Sequence, residues 1–347
     1  PRDSVTLPFP TGECLMPDAL TTIEFRLKQD MPWGKKGFVQ MAEQIDMRDF
    51  KAPAARQDIS LASAGRKPVS ARQDSLGISV TGEGFEVRFD NATGNISTLT
   101  YAGKQLITEG NGPRLDALRA PTDNDNWARE AWFKNGLHCL AHHTQGTPAV
   151  QKNQDGTVTI TCHILSQGTH EGTLQYRPGK AGRPYTAVRE GRALTAGDFH
   201  FLSTVCYTVF PDGSITLASS IVSSDPSLVL PRLGYAMKLD RQYDRYTYYG
   251  RGPHNNYADR KTGSFVGLYE STVEQQFVNF PKPQSMGNRE DVRWCALTDR
   301  EGTGLLFVAC DRMSASALPW SAMQMTLAAH PHELPRSDGN YLHLDCQ

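Results

Sequence analysis

Apolar and polar residues alternate over short stretches along most of this chain, and an alternation of period two predicts β-strands. Residues 22–27 place Ile23, Phe25 and Leu27 on one face, and residues 38–45 repeat the pattern. Prolines and glycines between the two stretches indicate a loop. Two strands are too few to form a sandwich by themselves, so this part of the chain is expected to belong to a larger sheet.

From residue 76 onward the pattern is that of strands nearly throughout, with loops rich in glycine, proline and aspartate between them. The predicted strands are residues 85–89, 96–101, 157–164, 201–210, 214–222, 232–239, 247–249, 292–297 and 304–309. Helical spacing predicts only two helices, at residues 126–140 and 321–329. Many strands with few helices predict one large antiparallel double sheet.

The length and the local composition predict more than one structural unit. A chain of 347 residues is long for one average domain. Residues 48–75 combine alanine, serine, proline and basic residues without any sustained period, which is typical of a surface linker. The sequence therefore divides into residues 1–47, a linker at 48–75, and a β domain at 76–347.

Charge and cysteine content exclude several classes of partner and site. The net charge of −1 provides no basic surface for nucleic acid, and no apolar run approaches the roughly 20 residues that span a bilayer. The seven cysteines form no C-x-x-C pair, which argues against a zinc ribbon and against a disulfide scaffold. We predict reduced thiols and a cytoplasmic protein, with a periplasmic location still open.

Aromatic, basic and amide side chains are concentrated between residues 246 and 294, around a turn at residues 250–253 that contains two glycines and a proline. Side chains of these types either bind sugar hydroxyls or tie large loops together. The candidate residues for a sugar cleft or an interface are Tyr248, Arg251, His254, Asn256, Asp259, Arg260, Asn288 and Arg293. A ligand cleft and a packed ion-pair network remain alternative interpretations.

Two other polar motifs do not predict metal sites. Asp123 to Asn126 look like part of a calcium loop but lack its glycine and its distal glutamate, so we interpret them as the cap of a helix that starts near Trp127. His142 and His143 are adjacent, and neighbouring side chains on a strand point to opposite faces. No metal ligands are assigned.

Four sequence blocks carry a family resemblance. They read RAPTDNDNW at residues 119–127, YYGRGPHNNYADRKTGSFVGLY at 248–269, PQSMGNREDVRW at 283–294 and ALPWSAMQMTLAAHPHELP at 317–335. These blocks and their spacing resemble the C-terminal region of the large bacterial β-galactosidases of glycoside hydrolase family 2. The resemblance implies an all-β fold, namely a large antiparallel galactose-mutarotase-like supersandwich, truncated before its last strands and preceded by part of an immunoglobulin-like β-sandwich at residues 1–47.

The resemblance also implies that the catalytic residues lie elsewhere. Enzymes of this family are retaining glycosidases, which need two carboxylates about 5 Å apart, and the family carries both glutamates on an upstream (β/α)₈ barrel. This chain has no alternation of strands and helices that could form such a barrel. A later loop that brings a tryptophan to the sugar in the family is also absent. We therefore assign no catalytic residue.

The function implied by the resemblance is that of a non-catalytic part of a β-galactosidase, which supports the catalytic barrel and a homo-oligomer. The barrel would belong to the same or a companion chain, and galactosides such as lactose would be the substrates of the whole enzyme. Such enzymes often use Mg and Na, but no cofactor is assigned to these residues. The alternatives are a sugar-binding small subunit and an aldose 1-epimerase, for which His254 is a candidate. Asn255 stands where the family commonly has glutamate, and an amide cannot transfer protons.

Overall fold

The computed structural model describes residue 6 and residues 19–46, 65–169, 174–176, 185–187 and 197–346. The chain divides into two compact units, Pro1–Asp58 and Ile59–Gln347. The boundary falls within the predicted linker, most of which lies outside the described residues. In the described part of the chain, no helix has the length and apolar character needed to cross a bilayer.

Regular structure is almost entirely β, and every strand pairing recorded is antiparallel. The strands are β1 (Leu20–Arg26), β2 (Val39–Asp46), β3 (Ser70–Gln73), β4 (Gly77–Gly82), β5 (Phe85–Asp90), β6 (Ile96–Tyr101), β7 (Lys104–Ile107), β8 (Arg114–Asp116), β9 (Leu140–Thr144), β10 (Ala149–Lys152), β11 (Val158–Gly168), β12 (Leu174–Tyr176), β13 (Tyr185–Ala187), β14 (His200–Val209), β15 (Ile215–Ser223), β16 (Gly234–Leu239), β17 (Arg245–Gly252), β18 (Phe265–Thr272), β19 (Arg289–Thr298), β20 (Gly304–Leu318) and β21 (Asn340–Cys346). These strands confirm the all-β prediction.

The described part of the first unit is a β-hairpin. β1 and β2 pair from Leu20 opposite Asp46 to Arg26 opposite Val39, with an irregularity near the turn. Both strands match the predicted alternation, but Phe25 and Met41 remain largely exposed on the hairpin. The immunoglobulin-like assignment of residues 1–47 stays a prediction, since a single hairpin is compatible with many sheets.

The second unit contains three larger sheets. One has the order β3-β4-β5-β6-β7, a second has β10-β11-β14-β15 with β9 on β11, and the third has β18-β17-β19-β20-β21-β16-β8. β12 and β13 form a separate pair. β3 lies within the segment predicted as a linker. Its residues are polar and basic, so their own pattern does not indicate a strand, and pairing with β4 makes them one.

One continuous apolar core joins the three larger sheets. On β5, Phe85, Val87 and Phe89 are buried while Glu86 and Arg88 are exposed, as a period of two requires. The same core contains buried residues from β11 and β14 of the second sheet and from β17 and β19 of the third. Each large apolar side chain that is fully buried there contributes about 1.5–3 kcal/mol.

The predicted helix at residues 126–140 is broken into shorter pieces. A 3₁₀ helix covers Asp123–Trp127, α1 covers Arg129–Lys134, and another 3₁₀ turn covers Leu137–Cys139. Gly136 has a φ of 73°, a left-handed conformation that ends α1. The predicted helix is longer than α1 because the spacing of apolar residues continues past this glycine.

The cap of the first 3₁₀ helix also differs from the expectation. Thr122 is the N-cap residue, and the Asp125 carboxylate accepts hydrogen bonds from the Thr122 amide at 2.7 Å and hydroxyl at 3.0 Å. This reciprocal arrangement satisfies free backbone groups at the helix start. The predicted helix at 321–329 is confirmed as α2, Ala322–Leu327, which Ser321 and Gln324 cap in the same way.

The outer face of the largest sheet carries a row of apolar side chains. Tyr249 of β17 lies opposite Leu268 of β18 and Trp294 of β19, and Trp294 lies opposite Val308 of β20. Leu268 is 66% exposed, Val308 46%, and Leu306, also on β20, 63%. We call these five residues the outer apolar row. Contiguous exposed apolar surface of this kind is typical of a contact face.

Candidate functional site

Asn256 fastens the turn after β17 to the start of β19. Its side chain is fully buried, and its Nδ2 donates to the carbonyls of Arg251 at 3.0 Å and His254 at 2.9 Å. Its Oδ1 accepts from the Glu290 amide at 2.8 Å. Asn288 returns the contact, because its Nδ2 donates to the Asn256 carbonyl at 2.9 Å. Two of the predicted site residues thus form a buried clamp.

Arg251 belongs to an ion-pair cluster beside this clamp. Its Nε donates to the Asp291 carboxylate, and Lys261 Nζ lies 3.0 Å from the other oxygen of Asp291. Burial raises the pKa of Asp291, but the hydrogen bonds from Arg251 and Lys261 outweigh burial and hold the pKa below its usual range. Asp291 has a left-handed φ of 51°, a conformation that aspartate tolerates better than most residues.

Tyr248 lies in the core and not in a cleft. It is 1% exposed and stacks between Tyr246 and Tyr269, with ring centroids 5.2 and 5.4 Å away. Its hydroxyl accepts a 2.7 Å hydrogen bond from Nε of Arg289, a buried arginine that also donates to Gln276 Oε1 at 2.5 Å. Burial raises the pKa of Tyr248, so the phenol stays protonated and serves packing.

The remaining predicted residues surround the clamp. Arg293 is buried, donates to the Asp291 carbonyl at 2.7 Å, and lies over the Tyr249 ring at 5.7 Å. Arg260 is exposed and lies 5.6 Å over the ring of Tyr257. His254 is exposed. At this turn the side chains of Arg251, Asn256 and Asn288 form a packed polar network, and most of the candidate residues do not line a cavity.

A cleft of about 380 Å³ opens next to the clamp, over the β19–β20–β21 part of the largest sheet. Its volume falls at the small end of the range for ligand sites. Its polar lining consists of Arg119, Arg232, Tyr257, Asp259, Ser285, Asn288, Glu290, Ser314, Ser316, His343 and Asp345. Its apolar lining includes Ala120, Pro231, Leu233, Met286, Leu318 and Met325. Of the predicted site residues, Asn288 and Asp259 belong to this cleft.

An arginine–aspartate ion pair and a histidine–aspartate contact form one side of the cleft. Arg232 precedes β16 and holds both oxygens of Asp345 on β21, with Nε–Oδ1 and Nε–Oδ2 distances of 3.1 and 3.0 Å and an Nη2–Oδ2 distance of 2.6 Å. His343, two residues earlier on β21, has its Nδ1 3.2 Å from Asp116 Oδ2. Burial opposes ionisation of Asp116, but His343 and Arg232 together hold its pKa below the usual range.

Glu290 forms the opposite side. Its Oε1 accepts hydrogen bonds from Asn288 Nδ2 at 2.7 Å and from Ser314 Oγ at 2.9 Å. Its Oε2 lies 3.4 Å from Lys261 Nζ. The Asn256 clamp fixes the backbone of Glu290, so the turn at 250–256 positions this carboxylate although the turn itself does not line the cleft.

Arg119 and Tyr257 stand at the cleft wall. Arg119 makes two hydrogen bonds to the Asp125 carboxylate, at 2.5 and 2.7 Å, behind the lining. Burial raises the pKa of Asp125, but the hydrogen bonds from Arg119 and Thr122 together outweigh burial and lower the pKa. The Tyr257 hydroxyl lies 3.3 Å from Ser285 Oγ. The wall therefore combines a fixed cation, a phenol and the apolar residues around Met286.

Neighbouring side chains hold two of the carboxylates that line the cleft. Arg232 contacts both oxygens of Asp345. Glu290 is held through one oxygen by Asn288 and Ser314 and through the other by Lys261. The arrangement therefore presents fixed hydrogen-bonding groups.

Four residues that line the cleft are not among the candidates predicted from the sequence. They are Arg232, Glu290, His343 and Asp345. A signal existed on β21, where His343 and Asp345 alternate with buried or half-buried leucines. Polar residues on the side of a strand that packs inward indicate either a network or a ligand site.

Two other histidine groups do not extend the site. His142 is buried, with Nδ1 2.9 Å from Ser166 Oγ, and His143 is exposed, so the two rings diverge as predicted. His330, His332 and Glu333 are exposed and close enough to share an ion. However, Glu333 already contacts His330 Nδ1 at 3.1 Å and accepts the Ala329 amide at 3.1 Å, which closes a short turn.

Fold and site together define an all-β protein whose antiparallel sheets carry a charge-paired polar cleft. A family model described as beta galactosidase small chain matches residues 81–347. The chain therefore belongs to the β-galactosidase small chain family. This match confirms, at the level of that family, the resemblance read from the sequence blocks.

Curated relatives agree with this assignment. A β-galactosidase of Priestia megaterium is 27% identical over 97% of this chain, and one of Halalkalibacterium halodurans is 27% identical over 96%. A β-galactosidase of Lactobacillus delbrueckii subsp. bulgaricus is 29% identical over 94% of the chain. The chain spans only 29%, 30% and 28% of the length of these relatives, respectively.

Proposed function

We propose that this chain is the non-catalytic C-terminal part of a β-galactosidase of glycoside hydrolase family 2, and that it supports the catalytic part of the same or a companion chain. The whole enzyme would hydrolyse terminal β-galactosides such as lactose and would act as a homo-oligomer. The free thiols of the described cysteines support a cytoplasmic location. These free cysteines are Cys139, Cys162, Cys206, Cys295 and Cys310.

The observation that carries the proposal is the unequal coverage. The relatives named β-galactosidase match nearly all of this chain, but the match accounts for less than a third of their own length. About two thirds of each relative thus lies outside the matched segment and is available to hold the catalytic carboxylates.

A supporting role also requires a contact face, and the outer apolar row offers one. Leu268 on β18 and Leu306 and Val308 on β20 have about half or more of their surface exposed, and Tyr249 and Trp294 on the two strands between them complete the row. The occupant we propose is the remaining part of the β-galactosidase, because the relatives contain that part in the same chain. Burying exposed leucine and valine side chains would contribute about 25 cal/mol per Å².

The test separates the two parts. The chain alone should not hydrolyse a chromogenic β-galactoside, and adding the remaining part of the same enzyme as a separate chain should restore hydrolysis. Leu306→Lys should prevent this restoration, whereas Leu202→Lys, at an exposed position on another sheet, should not. Turnover by the chain alone that persists through purification and scales with its concentration would overturn the proposal.

One observation favours a second candidate, an aldose 1-epimerase. His343 and Glu290 both line the cleft, and a histidine with a carboxylate can exchange protons with a sugar. His254, the residue that the sequence suggested for this role, is exposed on the turn. Polarimetry of freshly dissolved α-galactose decides between the candidates. We expect no acceleration of mutarotation, because the role that we propose for this chain is non-catalytic.

A further inference from the structure

The cleft contains several charged side chains but no surplus of positive charge. Arg232 is neutralised by Asp345, and Arg119 by Asp125. Lys261 lies between Glu290 and Asp291. The rim adds Asp259, an exposed carboxylate. Since every cation at the cleft is matched by an acid, the local potential does not favour an anion.

The same ion pairs fix the hydrogen-bonding groups in place. The two-pronged contact with Arg232 orients Asp345, and contacts from Asn288 and Ser314 orient Glu290. A carboxylate has about four acceptor positions, and Asp345 receives three contacts from Arg232, so it can accept a further hydrogen bond from a ligand. Groups held in this way lose little conformational entropy when a ligand binds.

The shape and polarity of the cleft limit the ligand further. Paired strands place Ser316 of β20 opposite His343 of β21, and Ser314 opposite Asp345, so donors and acceptors stand in two adjacent rows. Met286 and Leu318 supply an apolar surface on the wall. A volume of about 380 Å³ accommodates a small molecule. Rows of fixed acceptors beside an apolar wall suit a ring with vicinal hydroxyls on its edge and C–H groups on its face.

We propose that this cleft binds one neutral monosaccharide and excludes anionic sugars. The proposal rests on the proposed function only for the choice of galactose as the probe. The polar side built around Asp345 would accept hydrogen bonds from the sugar hydroxyls, and the apolar wall would cover the C–H face of the ring. Binding by this chain is measured without hydrolysis, so the failure of one proposal leaves the other standing.

The first experiment compares a neutral sugar with an anionic sugar of similar shape and with a simple anion. The 347-residue chain is titrated at pH 7.5 with galactose, galacturonate and inorganic phosphate, and binding is followed by saturation-transfer NMR and calorimetry. Galactose should bind saturably, and galacturonate and phosphate should bind at least about tenfold more weakly. The absence of saturable galactose binding overturns the proposal, and so does galacturonate binding as tight as that of galactose.

The second experiment places the site in the cleft. Ser316→Leu fills the space beside His343 and should abolish galactose binding, while Ser316→Ala keeps the opening and should retain it within about tenfold. If Ser316→Leu lowers the melting temperature, Asp259→Ala replaces it, because Asp259 is exposed and its truncation should weaken binding without unfolding. Undiminished binding to the folded Ser316→Leu variant, or to Asp259→Ala where that variant replaces it, contradicts the location.

Discussion

Replacing Asn256 by alanine should destabilise the second unit by about 3 kcal/mol. The change removes three hydrogen bonds, to the carbonyls of Arg251 and His254 and from the amide of Glu290. Asn256 is fully buried, so water cannot readily replace the lost partner. A buried hydrogen bond contributes about 1 kcal/mol, and a buried backbone group left unpaired costs a similar amount or more. A loss of about 3 kcal/mol in the free energy of unfolding corresponds to a fall in melting temperature of about 5–10 °C.

Asn255→Ala is the matched control for this variant. Asn255 is the preceding residue, is only half-buried, and contributes its carbonyl to the contact with Arg260, which alanine retains. Urea unfolding of both variants, followed by tryptophan fluorescence, should give a loss of about 3 kcal/mol for Asn256→Ala and less than about 0.5 kcal/mol for the control. Equal stabilities for the two variants would show that the clamp does not hold the turn.

Burial lowers the pKa of His142 to about 4 in the folded state, whereas the unfolded state keeps the ordinary histidine pKa of about 6.5. As the pH falls from 7 to 5, the unfolded state takes up a proton that the folded state does not, and the free energy of unfolding should fall by about 2 kcal/mol. Urea unfolding at both pH values measures this loss, which should disappear in His142→Gln and remain in the control His143→Gln. A loss that persists in His142→Gln would show that His142 is not its cause. Asp345→Asn, which leaves Arg232 without its carboxylate, should cost about 3 kcal/mol. Asp338→Asn, in a more exposed pair, should cost less than about 1 kcal/mol, and equal losses in thermal melts would refute the difference.

The strands could be predicted because the information they need is local. On β5, the alternation of Phe85, Val87 and Phe89 with charged residues is enough to assign one face to the core. The helix near residue 126 was predicted too long for a related reason, since its spacing of apolar residues continues past Gly136. Only the left-handed backbone of that glycine ends the helix.

The cleft could not be predicted, because it depends on which strands become neighbours. Ser314 and Asp345 are far apart in the sequence and meet only through the register of β20 and β21. The candidate residues around the turn at 250–253 were grouped by proximity in the sequence. Tyr248 and Arg251 differ by an odd number of positions on one strand, which places them on opposite faces of the sheet.

The continuous core beneath the three larger sheets has a consequence for how the second unit can change during evolution. Residues such as Val80, Ile160 and Leu297 come from different sheets but belong to the same cluster. A gene fission within the second unit would give two products, each with half of a shared interior and neither able to fold independently. Recombination during evolution should therefore transfer this unit as an indivisible block, and viable breakpoints should fall ahead of β3.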